Sequence, residues 1–370
     1  MWSRYRVPSL MAAQAGLLLL EASCVRTERP TLARAADYLW SQQADDGGWH
    51  SHTYGLLRSG QSLTPFVLGA LLEIPKEVNP APEARVDRAL AFIRKNVQPD
   101  GALGMADPGI PDYPNYSTAL AVSALCRARR PGWEMQVQPM VTYLRAQQFT
   151  EQNSWYPSDP VYGAWGMGGS RRTPPDTGHV DLSMTRYVLE ALRDAGVAAS
   201  DSAFEHARMF VERCQNFDPK KLSANADGGF FFSTTEFDTN KAGHDGKRFR
   251  SYGTTTADGI LALLALGRPA DDPHIVAARQ WLAVRQRNVE VPGFIGAAYQ
   301  RWPRGLSFYY CSASAQAFRS LGVGGGSTIA DEIKRIQRPD GSWANAENLV
   351  KEDDPLIATG FAVRALVALQ

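Results

Sequence analysis

Asp181 stands four residues before Thr185, and Asp258 lies two residues after Thr256 inside an otherwise apolar stretch. A carboxylate at the start of a helix caps it by accepting backbone N–H bonds. One held at the mouth of a cavity has its pKa raised by burial and becomes a general acid. His179, two residues before Asp181, belongs to the same group, and we take Asp181, Asp258 and His179 as candidate catalytic residues. Trp165, Tyr187 and Tyr252 lie close to them in sequence, and with Tyr310 and Asp112 they are the candidate ligand-binding residues. Aromatic faces attract cations, so a cavity that they line suits carbocations or flat apolar ligands. The pair His50 and His52 and the isolated Cys311 show no three ligands at metal-binding spacing, so neither metal nor cofactor is expected.

The elements that position these residues follow from a repeat. A Thr or Ser at 64, 118, 185, 256, 314 and 359 is followed seven residues later by Leu, with a small residue at plus six and an apolar one at plus four. Offsets of four and seven fall on one helical face, so the six segments are copies of one helix. Between them runs a second helix type, closed by pairs such as Tyr38-Leu39, Tyr143-Leu144 and Trp281-Leu282. Gln stands four residues after the aliphatic partner at 43, 148, 215, 286 and 337, and Val97 takes that place in the second repeat. Gly-rich turns such as Asp46-Gly47-Gly48-Trp49 and Asp340-Gly341-Ser342-Trp343 then stop the helix. Hairpins that each bury only part of their surface must stack. The pattern predicts an all-α fold, an α/α toroid of six helix hairpins, with the Thr-to-Leu helices as the inner ring and the Arg-rich helices outside.

The chain has 370 residues, with 39 Lys and Arg against 38 Asp and Glu, so no global charge points to nucleic acid. Its four cysteines, widely spaced and without a C-x-x-C pair, read as buried free thiols in a reducing compartment. The expected location is the cytoplasm, with membrane association as an alternative. Residues 1–30 hold an apolar run from Pro8 to Ala22 that Gln14 and Glu21 interrupt; an extra helix on the ring is favoured over an export signal. Residues 31–370 form the repeat domain.

The Q-x-x-D-G-x-W-like turns (Gln43 to Trp49; Gln337 to Trp343), set between helix hairpins, resemble those of the terpene cyclase and protein prenyltransferase superfamily. The segments Asp181-Leu182-Ser183-Met184-Thr185, Tyr252-Gly253-Thr254-Thr255-Thr256 and Gly305 to Tyr310 are most similar to bacterial squalene-cyclase-like repeat proteins. The resemblance implies an α/α toroid that handles an isoprenoid or other hydrophobic small molecule. Cyclases of the squalene-hopene type carry D-x-D-D before an inner-helix Thr. Here only Asp181 matches, and Ser183 and Met184 hold the places of the other two carboxylates. Prenyltransferases carry an Asp-x-Cys with zinc, and Cys311 has no such partner.

Position adds one more expectation. From the Gln column to the inner-helix Thr or Ser the distance is 21 residues in the first two repeats, but 37 and 41 in the third and fourth. Phe149 to Met184 and Asn216 to Thr255 are therefore insertions at equivalent places, crowding one mouth of a closed ring. Besides the candidates above they contain Glu236 and Asp238. Three functional classes follow: an isoprenoid-processing enzyme with an altered acid motif, a non-catalytic toroid that binds a ligand or partner protein, and a carbohydrate-active barrel.

Overall fold

A computed structural model describes residues 30–370 except 108, 219–225, 236–238, 247, 287, 297–298 and 324–326. The expected N-terminal helix of residues 1–30, and Glu236 and Asp238, lie outside the described residues. In chain order the helices are α1 (Thr31–Ser41), α2 (Leu63–Glu73), α3 (Glu83–Asn96), α4 (Pro114–Ala128), α5 (Trp133–Ala146), α6 (Leu182–Asp194) and α7 (Ser202–Arg213). They continue as α8 (Gly253–Ala265), α9 (Pro273–Arg285), α10 (Trp302–Gly305), α11 (Ser307–Ser320), α12 (Ser327–Arg335) and α13 (Pro355–Ala368). Extended pairing among the described residues is confined to isolated bridges such as Gly166 with Val180.

Six helices close an inner ring: α2 packs on α4, α4 on α6, α6 on α8, α8 on α11, α11 on α13, and α13 back on α2. Each carries one copy of the Thr-to-Leu pattern. These helices are largely buried because outer helices and ring neighbours cover them; every residue of α2 from Leu63 to Leu71 is buried. Helices α1, α3, α5, α7, α9 and α12 alternate with them in the chain and form the outer layer. The short α10 is an addition that the repeat did not predict.

Each recurring column has a physical job. The Thr hydroxyl accepts the backbone N–H of the residue that follows the Gly turn: Trp49 on Thr64, Leu103 on Thr118, Trp165 on Thr185, Phe230 on Thr256 and Trp343 on Thr359, at 2.9–3.2 Å. The Trp indole N–H in turn donates to the end of its own outer helix, Trp49 to Leu39, Trp165 to Leu144 and Trp343 to Ile333. The Gln amide clamps the turn to the start of the next outer helix: Gln148 donates to the Gly163 and Ala203 carbonyls, Gln215 to those of Gly228 and His274. Gln337 makes the closing link, donating to the Gly341 and Thr31 carbonyls across the chain's two ends. Gly163 and Gly341 have φ of 86° and 91°, and a Cβ at either would overlap the backbone of the adjoining outer helix at His206 or Arg34.

The two insertions meet. Leu182 N–H donates to the Phe232 carbonyl, Thr234 to the Pro160 carbonyl, and the His179 and Phe232 rings lie 5.7 Å apart.

Candidate functional site

Where the insertions cross the N-terminal ends of the inner helices they enclose a cavity of about 340 Å³, at the lower end of the range typical of small-molecule sites. Its wall is mainly apolar. Phe66 (α2), Tyr187 (α6), Tyr309 (α11) and Phe361 (α13) come from the inner ring, and Phe232 and Tyr252 from the second insertion. Phe66 and Phe361 meet edge to face at 4.8 Å, and Tyr309 lies 5.2 Å from Phe361, so the rings brace one another.

Asp181 lies on this wall and caps α6: its Oδ1 accepts Met184 N–H at 2.7 Å, and its Oδ2 is 2.9 Å from His179 Nε2. His179 lines the cavity beside it. With one oxygen taken by the helix and the other facing His179, Asp181 is built as an acceptor. Asp181→Asn should leave stability nearly unchanged, whereas Asp181→Ala should cost about 0.5–2 kcal/mol through the lost cap. Urea unfolding of the two variants checks this.

Asp258 is the buried carboxyl beneath the floor. It is 0% exposed, Ser183 Oγ donates to its Oδ2 at 2.6 Å, and Tyr309 Oη lies 2.8–2.9 Å from both its oxygens. Burial pushes its carboxyl up from the usual range, against the opposing pull of Arg186, whose Nη1 is 3.9 Å away, and of the two hydroxyls. Ser183 and Tyr309 both face the cavity, so the acid reaches it through them. Ser183 stands where D-x-D-D has its second Asp, and the neighbouring helix brings a carboxylate to it across 75 residues of chain.

Three expectations are corrected by these contacts. Trp165 is fully buried and outside the cavity wall, because its indole serves the clamp to Leu144. Tyr310 is likewise buried away from it, packed on Gly253; its neighbour Tyr309, one residue round the helix, faces the ligand space. Asp112 ties two loops together, accepting from Ser59 and from the hydroxyl and N–H of Ser62, and does not reach the wall. Tyr187 and Tyr252 do line the cavity.

Glu352 went unnoticed in the sequence because its loop carries no repeat signal. It is fully buried on the cavity wall, and its carboxyl accepts N–H bonds from Phe308 and Tyr309 at the start of α11 and from Asn345 Nδ2. Burial pushes this carboxyl up to about 7, against three donors that favour its charged form. Since the folded value lies above the unfolded one, the contribution to stability is full below about pH 4.3 and is lost as pH rises to about 7. The loss amounts to on the order of 3 kcal/mol. Chemical denaturation at pH 5 and pH 7.5 should show that fall, and Glu352→Gln should flatten the slope whatever it does to absolute stability.

Among the described residues no three His, Cys, Asp or Glu side chains converge as a metal-binding group. Cys126, Cys214 and Cys311 are free and buried, and burial pushes all three thiols up. No described helix is long and apolar enough to cross a membrane.

Solved structures share this architecture over nearly their whole length. The apo type II terpene cyclase MstE from Scytonema superposes with a TM-score of 0.57 at 13% identity, covering 91% of this chain and 96% of its own. The fold is that of a terpene cyclase-like α/α toroid. A D-mannose isomerase (TM-score 0.55, 13% identity, 91% and 96% covered) and a glycosidase (0.54, 12%, 92% and 97%) share the toroid as well. No protein-family model matches the sequence, and no curated protein does. One toroid thus serves unrelated chemistries, and the side chains of the cavity must decide between them.

Proposed function

We propose that this toroid binds an isoprenoid or similar apolar ligand in its aromatic cavity and isomerises it by protonation, with Asp258 as the acid. The observation that carries this reading is the buried Asp258, linked to the ligand space by Ser183 and Tyr309 beneath a wall of aromatic rings. Burial, which pushes the carboxyl up, favours its protonated form, and that proton passes through a hydroxyl to an alkene carbon, forming a C–H bond and a carbocation at the adjoining carbon. The rings of Tyr252 and Phe361 stabilise that cation. Loss of a proton from a neighbouring carbon, returned through the hydroxyls to Asp258, forms the new alkene and restores the acid, so the net change is isomerisation. His179 and Asp181 border the space and orient the ligand. MstE, which shares the fold, has been solved with geranylgeranyl dihydroxybenzoate as substrate, an apolar chain on an aromatic acid.

Carbohydrate cleavage in this cavity is less well supported. It takes two carboxylates flanking the bond, and the two on the wall, Asp181 and Glu352, are both engaged in capping helices. Incubating the protein with farnesol, geranylgeranyl diphosphate and squalene, with products read by mass spectrometry, tests the reading. An isomeric product supports it. Binding without turnover leaves a ligand-binding toroid, and no binding removes the reading.

A further inference from the structure

A second cavity, of about 560 Å³, opens at the other end of the inner ring, among the C-terminal turns of its helices. Tyr187 lines both cavities and, with Tyr116 packed edge-on at 4.8 Å, divides them. The chemistry of this second wall is different: Glu73, Arg127, Glu190, Arg193, Asp194 and Arg364 all reach it.

Most of these arginines are occupied by the ring itself. Arg193 Nε donates to the Ala265 carbonyl, and Arg127 to the Gly69 carbonyl and to Glu73, neutralising helix ends where the dipole is negative. Arg364 is the exception. It is 8% exposed, its buried Nε has no hydrogen-bond partner, and its nearest carboxylate oxygen is Glu73 Oε1, 3.5 Å from Nη1. Arg186, beside the cavity, has a buried Nη1 in the same condition. A buried donor without an acceptor is costly, so Arg364 Nε and Arg186 Nη1 are two donors that a ligand oxygen could satisfy.

Three ligand classes can be weighed. An apolar ligand would seal these groups away from water without partners. An oxyanion would meet three carboxylates, which balance the three arginines of the wall, and six helix C-termini that repel it. A neutral polyol brings acceptors for guanidinium and donors for carboxylates in one molecule, and burial, which pushes the Glu190 and Asp194 carboxyls up, disfavours a further negative charge beside them. We propose that this second cavity is a binding site for a small neutral polyhydroxylated ligand, a monosaccharide or cyclic polyol, with Arg364 donating to its hydroxyl oxygens and Glu73 and Glu190 accepting from its hydroxyls. The site lies across Tyr187 from the aromatic cavity, and its assignment does not rest on the reaction proposed there.

Sugars stabilise any protein by exclusion from its surface, so the test uses enantiomers, which are excluded alike but fit a chiral site differently. Wild-type protein is titrated with the D and L forms of glucose, mannose and galactose, with saturation-transfer NMR and melting temperature as readouts, and with inorganic phosphate in parallel. The expected result is saturable binding of one enantiomer in at least one pair, with affinity falling about tenfold or more in Arg364→Met. That variant should still fold, since an apolar side chain of similar length replaces the guanidinium and Glu73 keeps Arg127 as its partner. Equal behaviour of the enantiomers in every pair overturns the proposal, and the wild type alone can show it. Saturable phosphate binding without sugar preference also overturns it and makes the site an oxyanion site. Enantiomer preference unchanged in Arg364→Met places the sugar elsewhere and overturns it too.

Discussion

Asp258→Asn should lower turnover of an isoprenoid substrate by at least about 100-fold while leaving its binding in place. Asn preserves the shape and can still accept from Ser183 and Tyr309, but it carries no acidic proton. Tyr309→Phe and Ser183→Ala separate the two routes from the acid to the ligand: the one that carries the proton should lose most of the activity, and the other should lose little. Rate and ligand affinity measured together discriminate a lost acid from a collapsed floor, because removal of the acid alone changes kcat and leaves Kd in place. If Asp258→Asn retains wild-type turnover, the acid lies elsewhere on the wall, and Glu352, with its carboxyl pushed up to about 7, is the group to examine next.

The second large effect concerns ring closure. Trp343→Ala should destabilise the protein by about 3–5 kcal/mol, the cost of removing a fully packed aromatic side chain. Trp343 is 1% exposed, its indole holds the end of α12, and its backbone N–H is held by Thr359 on α13. It thereby secures the last hairpin, which packs on α1 and α2 to close both layers. The Thr column supplies an internal comparison. Thr359→Val removes the acceptor of the Trp343 N–H and should cost about 1–3 kcal/mol for the orphaned donor. Ser314 occupies the same column, yet its hydroxyl only donates back to the Tyr310 and Cys311 carbonyls, so Ser314→Ala should cost about 0.5 kcal/mol. Calorimetric unfolding of the three variants gives the order directly; equal costs at 359 and 314 would show that the loop N–H bond is not what the column contributes.

The Thr-to-Leu spacing, the Gln column and the Gly turns are local features. They state a helical face, a helix stop and a clamp within a few turns of chain, and so the number of hairpins, their inner and outer assignment and the closed ring were all legible before any coordinates. The equivalent placing of the insertions at Phe149 to Met184 and Asn216 to Thr255 was legible for the same reason, since a loop's end of the ring follows from its place in the repeat. The direction of individual side chains was not. Successive residues on a helix point about 100° apart, so whether Tyr309 or Tyr310 faces the cavity depends on how α11 is rotated against α8 and α13, a packing choice that no local period states. Trp165 reads from sequence as an aromatic near a site, and only its bond to Leu144 shows that it is a clamp. Asp258 was visible as an odd carboxylate in an apolar helix, but its meeting with Ser183 and Tyr309 takes three inner helices in a fixed rotation. Glu352 lies in a loop without periodicity, so its place at the start of α11 exists only once the ring is closed. The sequence alone determined the toroid and the mouth where its long loops gather; tertiary packing decided which carboxyl lies beneath that mouth, because helix rotation is set by contacts between segments far apart in the chain.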